Sequence, residues 1–323
     1  MRIAYSLGSL LSVDEILDCS KVLSKYNPDS VWLPETWGME GFSMMTAVSQ
    51  IVKNSKIGSS IINTYSRTPS LVAMGAATLD TLSNGRLILG LGTSSESIVQ
   101  DWHGLEFEQP VQRMREYVEI IRLIMSGNKV NYDGKLFHLK NFTLLIKPKR
   151  KEIPIYLAAI NQKMVELAWE IADGVIFYLR PISELQSTIQ KMQSKRKIDV
   201  SSQFITCMSE DGEKALDRAK KTIAFYVSVG KIYREFLAKN GFAKETREIY
   251  DEYKKSGFRT NHKLVSNIML DSLTICGTPE ECKKKLERFV KTGVSLPIIQ
   301  FNPVDEVEKS FKLLVSTLSG RKN

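Results

Sequence analysis

Histidine is scarce in this chain. His103, His138 and His262 are the only three in 323 residues, and they lie far apart in the sequence. A histidine-rich metal centre is therefore not expected. The four cysteines, Cys19, Cys207, Cys276 and Cys282, are equally thin. The closest two are six residues apart, poor spacing for zinc, so buried or incidental thiols are expected and no metal. No apolar run approaches the ~20 residues that a membrane span needs. The opening Met1-Arg2-Ile3-Ala4-Tyr5-Ser6-Leu7 turns polar too soon for a signal peptide, so a cytoplasmic protein off the membrane is expected. A G-x-S-x-G nucleophile elbow is missing, which argues against a serine hydrolase. Gly90-Leu91-Gly92 is half of a dinucleotide fingerprint, but Ser95 stands where its third glycine belongs.

What is present is ordinary globular composition. The chain is 43% hydrophobic and 25% charged, with length enough to bury a large core. Net charge is +9, from 45 Lys and Arg against 36 acids. No nucleic-acid motif accompanies it, so nucleic acid is not an expected partner. The lysines spread along helical patterns, as at Lys283-Lys284-Lys285, and read as solvated faces. The field they create would still draw an anionic cofactor tail.

Short apolar runs alternate with helical patterns. Strands are expected at Arg2–Ser6, Ser30–Leu33, Lys56–Ile62 and Arg86–Gly90, then at Ile153–Leu157, Val175–Tyr178, Gln203–Met208 and Ser295–Phe301. Ser12 with Glu15 forms a capping box before an amphipathic helix from Val13. Pro69 opens another helix, and Asn84-Gly85 closes it. Tyr132-Asp133-Gly134-Lys135 reads as the turn of a hairpin between Val130–Tyr132 and Leu136–Leu139. Asp211–Lys239, Thr246–Lys255 and Thr278–Thr292 are helical, and Asp305–Leu318 is a closing helix. Repeated βα units imply parallel strands covered by helices, in either a barrel or a doubly wound sheet.

Ser30-Val31-Trp32-Leu33-Pro34-Glu35-Thr36-Trp37-Gly38 and the stretch from Ser60 to Gly92 carry a more specific signal. The latter contains Ser60-Ile61-Ile62-Asn63-Thr64-Tyr65-Ser66-Arg67-Thr68-Pro69 and ends Leu87-Ile88-Leu89-Gly90-Leu91-Gly92. These residues resemble the luciferase-like family of flavin and deazaflavin oxidoreductases, most closely the branch that uses coenzyme F420. The resemblance implies a TIM (β/α)8 barrel: a single domain over residues 1–323, with a hairpin insert near 128–150 and a helical insertion at about 211–292. It implies hydride transfer between F420 and a small organic substrate, such as a methylene bridge reduced to a methyl group. The alternatives are an FMN-dependent monooxygenase and a cofactor-free barrel serving as a binding subunit. The family also implies a homodimer paired through helices beside strands two to four. Met44, Met45, Val48, Leu71, Met74 and Leu79 could supply that surface or lie in the core.

In such a barrel, functional groups gather at the carboxyl ends of strands. Glu35 is the only acid at the first six tips and is the candidate for proton transfer, with His103 as a second donor. Partial burial would raise the Glu35 pKa. Thr36 stands where related deazaflavin enzymes often carry histidine, which argues against a sugar-phosphate dehydrogenase. Small residues at the tips suit a flat ring: Ser6, Thr36, Ser60, Asn63, Gly92, Thr93, Ala158 and Ala159 are cofactor candidates. Trp37 would stack on the ring or close the pocket, with Trp102-His103-Gly104 as a second wall. The family match places a non-prolyl cis peptide at Ser60–Ile61, pressing on one face of the ring. Ile160, Asn161 and Lys163 lead into a helix whose start would hold the cofactor phosphate.

Overall fold

The computed structural model of the chain describes residues 1–8 and 10–319. Contacts divide the chain into two compact units: a terminal unit of residues 1–10 and 177–323, and a central unit of residues 11–176. The terminal unit opens the chain with strand β1 (Ala4–Ser6).

The central unit builds from βα repeats. Helix α1 (Val13–Leu23) starts at the expected capping box, with Ser12 N–H donating to Glu15 Oε2 at 2.7 Å. Strand β2 (Ser30–Leu33), helix α2 (Gly41–Ile51), strand β3 (Lys56–Ser59), strand β4 (Ile62–Asn63) and helix α3 (Pro69–Leu82) follow. Next come strand β5 (Leu87–Gly92), helix α4 (Pro110–Met125), hairpin strands β6 (Val130–Asp133) and β7 (His138–Phe142), strand β8 (Ile155–Ala158) and helix α5 (Gln162–Ile171). Strand β9 (Gly174–Tyr178) spans the boundary between the units. Strands β2, β3, β5, β8 and the first part of β9 pair in that order, all parallel.

The expected third strand divides in two. The Ser60–Ile61 peptide is cis, as the resemblance implied. Ser60 N–H donates to Leu33 O at 2.9 Å, and Glu35 N–H donates to Ile61 O at 3.2 Å. The bulge is thus tied to the end of β2, and β4 resumes pairing only with β5. The hairpin differs as well. Its second strand begins at His138 rather than Leu136 because the buried Glu116 carboxylate accepts the N–H groups of Lys135 (2.8 Å), Leu136 (3.0 Å) and Phe137 (3.0 Å).

The terminal unit continues with helix α6 (Ile182–Gln193), strand β10 (Asp199–Met208), helices α7 (Gly212–Val229), α8 (Lys231–Leu237), α9 (Ala243–Ser256) and α10 (Asn267–Leu273), strand β11 (Thr274–Gly277), helix α11 (Pro279–Val290), strand β12 (Leu296–Phe301) and helix α12 (Val307–Ser319). The stretch 211–292 is therefore not wholly helical. β11 pairs parallel with the end of β10 and sets Cys276 beside Cys207. Its four residues abut helices directly, too short for an alternating pattern to show. β10 pairs on β12 and β12 on β1, again parallel. One face of this sheet packs aromatics on helices: Tyr5 and Phe301 meet Phe311, and Phe204 meets Phe289 at 4.3 Å between centroids.

Of the residues offered as a pairing surface, Met44, Met45, Val48 and Leu79 are buried in the core of the central unit. Leu71 and Met74 alone remain exposed, at 47% and 45%. All four cysteines are buried free thiols. Among the described residues, no helix is long and apolar enough to cross a membrane, and no three His, Cys, Asp or Glu side chains gather as metal ligands.

Candidate functional site

A cleft of about 400 Å³ opens in the central unit where the β2 and β4 tips meet the loops that follow. Glu35, Thr36 and Trp37 line it from the β2 tip, Asn63 and Arg67 from the segment after the bulge, and His103 from the loop after β5. The sequence candidates Glu35, Thr36, Trp37, Asn63 and His103 thus converge. Five further lining residues, Gly38, Met39, Glu40, Ser66 and Arg67, are additions of the structure.

Glu35 is not a free acid. Arg67 Nε donates to its Oε1 at 3.2 Å and Arg67 Nη2 to its Oε2 at 2.8 Å. Gly41 N–H adds a third bond to Oε2 at 2.9 Å. The two side chains are only 12% and 19% exposed. A fork-to-fork guanidinium–carboxylate pair of this kind is strong and directional. A Cβ at Gly41 would meet Glu35 Oε2 at 3.1 Å and Ile62 Cδ1 at 2.6 Å, so glycine there lets both side chains keep their places. Arg67 Nη2 also bonds Glu40, whose carboxylate caps α2 through Phe42 N–H (3.0 Å) and Ser43 N–H (2.7 Å). Burial works to raise the Glu40 carboxyl, but the Ser43 and Phe42 bonds and the Arg67 charge outweigh it and hold it below the usual range. The hydrogen bonds to Glu35, ahead of burial, hold Arg67 above its ordinary range and keep it cationic. Tyr117 hydroxyl fixes the Arg67 backbone, donating to its carbonyl at 2.5 Å.

The rim is aromatic. Trp37 and Trp102 meet edge-to-face with centroids 5.2 Å apart, and are 53% and 55% exposed. Trp102 ends a π-helical turn (Ile98–Trp102) that presents His103 to the cleft. This turn has no signature in the sequence pattern.

The other candidates stand at neighbouring strand ends. Asn63 is buried, and its Oδ1 accepts Tyr65 N–H at 2.9 Å. Gly92 pairs with Asn63, and Thr93 follows it. A Cβ at Gly92 would meet Ile61 Cγ1 at 2.6 Å, so any larger residue there would displace the Ile61 side chain. Ser60 Oγ is buried without a hydrogen-bond partner among the described residues. Ala158 ends β8, Ala159 is buried, and Ile160 and Asn161 lead to the exposed Lys163 in the first turn of α5. Ile160 is not among the residues with positive φ, so the absence of glycine there forces no unfavourable backbone. Asn161 places no side-chain bond on the α5 N–H groups, leaving that helix start open to an anion. Ser6, at the end of β1, belongs to the terminal unit and is buried.

Comparisons with known proteins agree on the class. The tetrahydromethanopterin reductase of Methanopyrus kandleri, described as coenzyme F420 dependent, superposes with a TM-score of 0.86 at 24% identity, covering 98% of this chain and 97% of that one. The fold class is therefore the TIM (β/α)8 barrel expected from the sequence. The family model for luciferase-like monooxygenases matches residues 2–296, and the chain belongs to that family. Among curated relatives, a 5,10-methylenetetrahydromethanopterin reductase of Methanolobus tindarius is 26% identical over 95% of this chain and 96% of its own length. A putative coenzyme F420-dependent oxidoreductase of Mycobacterium tuberculosis is 27% identical over 86% of this chain and 88% of its own.

Proposed function

We propose that this protein is an oxidoreductase that exchanges hydride between coenzyme F420 and a small organic substrate. Its family and its F420-dependent relatives support that reading. The observation on this chain that carries it is the bed at the bulge. Gly92 leaves no room for a Cβ beside Ile61, and Ser60 Oγ is buried beside it with no partner. A close-packed apolar floor with one unsatisfied hydroxyl fits a flat ring that carries polar edges.

When bound, the deazaflavin supplies hydride exchange at its C5. The chain's own residues supply the setting. Ile61, Gly92, Ala158 and Ala159 form the floor, and Thr36, Ser60, Asn63 and Thr93 border it. The open start of α5 with Lys163 holds the phosphate of the tail. Trp37 and Trp102 restrict water at the rim. Glu35 manages the proton: it holds Arg67 in the resting cleft, and its carboxyl group becomes available when Arg67 turns to an incoming ligand. His103 stands by as the second donor. A methylene bridge reduced to methyl is the working substrate; three of the curated relatives are named as 5,10-methylenetetrahydromethanopterin reductases. The site of action is the cytoplasm, and the active form is a homodimer that buries Leu71 and Met74.

Titration of the apoprotein with F420 and with FMN, followed by ring absorbance or fluorescence, tests the reading. Tighter F420 binding that weakens with salt is expected, since screening acts on the tail's anchoring. Equal or tighter FMN binding at low salt would replace it with the FMN monooxygenase. Binding of neither would leave a barrel that serves as a binding subunit. Leu71→Lys should turn a dimer into a monomer in light scattering at micromolar concentration.

A further inference from the structure

We propose that the terminal unit carries the recognition site for the organic substrate, built from Tyr178, Gln203, Gln300 and Asn302, and that it selects an uncharged ligand presenting N–H donors. The proposal rests on the oxidoreductase reading above, which requires a second ligand besides the cofactor.

Strand register gathers these residues. Gln300 lies opposite Ser6 on β1 and Ile205 on β10, and Gln203 lies opposite Ile298. Side chains alternate along a strand, so Gln203, Gln300 and Asn302 share one face. Tyr5, Phe204 and Phe301 occupy the other, where they pack on Phe311 and Phe289. The polar face also carries Ile205, which with Cys207 packs into the core built by helices α7 to α10. Tyr178, Gln300 and Asn302 lie at the ends of β9 and β12, where barrels of this class bind ligands, and Gln203 lies midway along β10.

One polar atom of each is unmet. Gln203 Oε1, Gln300 Oε1, Asn302 Oδ1 and Tyr178 Oη are each buried with no hydrogen-bond partner among the described residues. Gln300 and Asn302 are only 9% and 1% exposed. Asn302 Nδ2 donates to Gln300 O at 2.9 Å, which fixes the amide so that Oδ1 is the unmet atom. Tyr178 Oη lies near the Tyr226 hydroxyl and the Gln300 amide without completing a bond to either. Interiors leave few polar atoms unmet, and a cluster on one sheet face marks a missing partner.

The chemistry of that partner follows from the donors and acceptors. Asn302 Oδ1 faces it as an acceptor, as do Gln203 Oε1 and Gln300 Oε1 in the orientations these amides adopt, so a partner that satisfies them brings N–H groups. A carboxylate or phosphate brings no donor and would leave these oxygens unmet. Tyr178 adds one hydroxyl, and burial pushes it well above the usual tyrosine range, so it stays protonated and can donate. Tyr178, Tyr226 and Tyr233 form an edge-to-face triangle, with centroids 5.2, 5.7 and 5.6 Å apart. That wall suits a flat ring.

Fluorescence titration of the full-length protein with pterin, which carries N–H donors on its pyrimidine ring, and with 1,3-dimethyllumazine, whose pyrimidine nitrogens are methylated, tests the site. Pterin should bind at least about tenfold tighter, and Gln203→Leu and Gln300→Leu should each weaken pterin about tenfold. Melting temperature should be retained or raised, and F420 affinity retained, in both variants. Equal affinity for the two probes, no pterin binding by the unaltered protein, or undiminished pterin binding in both variants would overturn the assignment. The F420 titration on the same samples judges the oxidoreductase reading separately. Failure there with pterin discrimination intact removes the cofactor, and the converse removes only this site.

Discussion

The charged cleft of the central unit and the neutral cluster of the terminal unit deal with polar groups in opposite ways. In the cleft, Glu35, Arg67 and Glu40 satisfy one another before any ligand arrives. In the cluster, Tyr178, Gln203, Gln300 and Asn302 leave four buried atoms unmet. A satisfied ion-pair network is stable at rest, and a ligand must compete with it. An unsatisfied neutral cluster is costly at rest, and a matching ligand relieves that cost. The first arrangement suits a group that must move or be released during a reaction. The second suits recognition, where binding energy comes from bonds the protein cannot make alone.

The largest expected effect is on turnover. If Glu35 assists proton transfer, Glu35→Gln should keep cofactor binding nearly intact and slow single-turnover hydride transfer by about 10²- to 10⁴-fold. Unchanged single-turnover kinetics would confine Glu35 to holding Arg67 and move attention to His103. Arg67→Met should come next. It leaves two carboxylates facing each other without their cation, in a setting where Glu35 is 12% exposed. Removing one partner of such a pair costs about 3 kcal/mol, somewhat less here because Glu40 is 43% exposed and can turn to water. A melting temperature equal to that of the unaltered protein would show that the network contributes nothing at rest and would break the contrast with the terminal unit.

Glu116 extends the contrast to a carboxylate remote from either site. It accepts three backbone N–H groups of the hairpin turn and the Gln112 amide, and it is 1% exposed. Burial works to raise its pKa, but the Gln112 and backbone bonds prevail and lower it. Its contribution is therefore fully present above the unfolded carboxyl range near ~4.3 and is lost as pH falls through the depressed folded value. Glu116→Ala should cost about 2 kcal/mol at neutral pH and free the hairpin N–H groups to exchange. The deficit should shrink as the pH drops below ~4. A deficit independent of pH would assign the loss to packing rather than to the charge.

Much of the cleft was legible because it lies in contiguous motifs. Glu35, Thr36 and Trp37 follow one strand, and Asn63 and Arg67 follow another. The βα alternation limited the architecture to a barrel or a doubly wound sheet, and the family resemblance chose the barrel. The pairing of Glu35 with Arg67, 32 residues away, was not legible. It depends on a bulge that divides one expected strand and ties its loop to the tip of another. The burial of Met44, Met45, Val48 and Leu79 likewise depends on which helix faces pack inward, and an apolar stripe alone does not say so. The terminal cluster did leave a trace. Gln300 interrupts the apolar run Leu296-Pro297-Ile298-Ile299-Gln300-Phe301, and an amide inside a buried strand is a signal that alternation analysis can use.

The smallest expected effect has the opposite sign, which makes it the sharpest test of the comparison. Tyr178→Phe removes a buried hydroxyl that has no partner in the unliganded protein. The ring and its edge-to-face contacts with Tyr226 and Tyr233 remain. Nothing is lost at rest except an unmet polar atom, so the variant should be as stable as the parent or more so, by up to about 1 kcal/mol. Arg67→Met should move in the other direction under the same conditions. The gain should reverse once a matching ligand is present. The parent then has a bond that the variant cannot make, and ligand-induced stabilisation should be larger for the parent. Melting curves of both proteins with and without pterin measure the two differences together. A destabilised Tyr178→Phe without ligand would mean that the hydroxyl is already partnered at rest, by Tyr226 or Gln300, and the cluster would then join the cleft as a closed network.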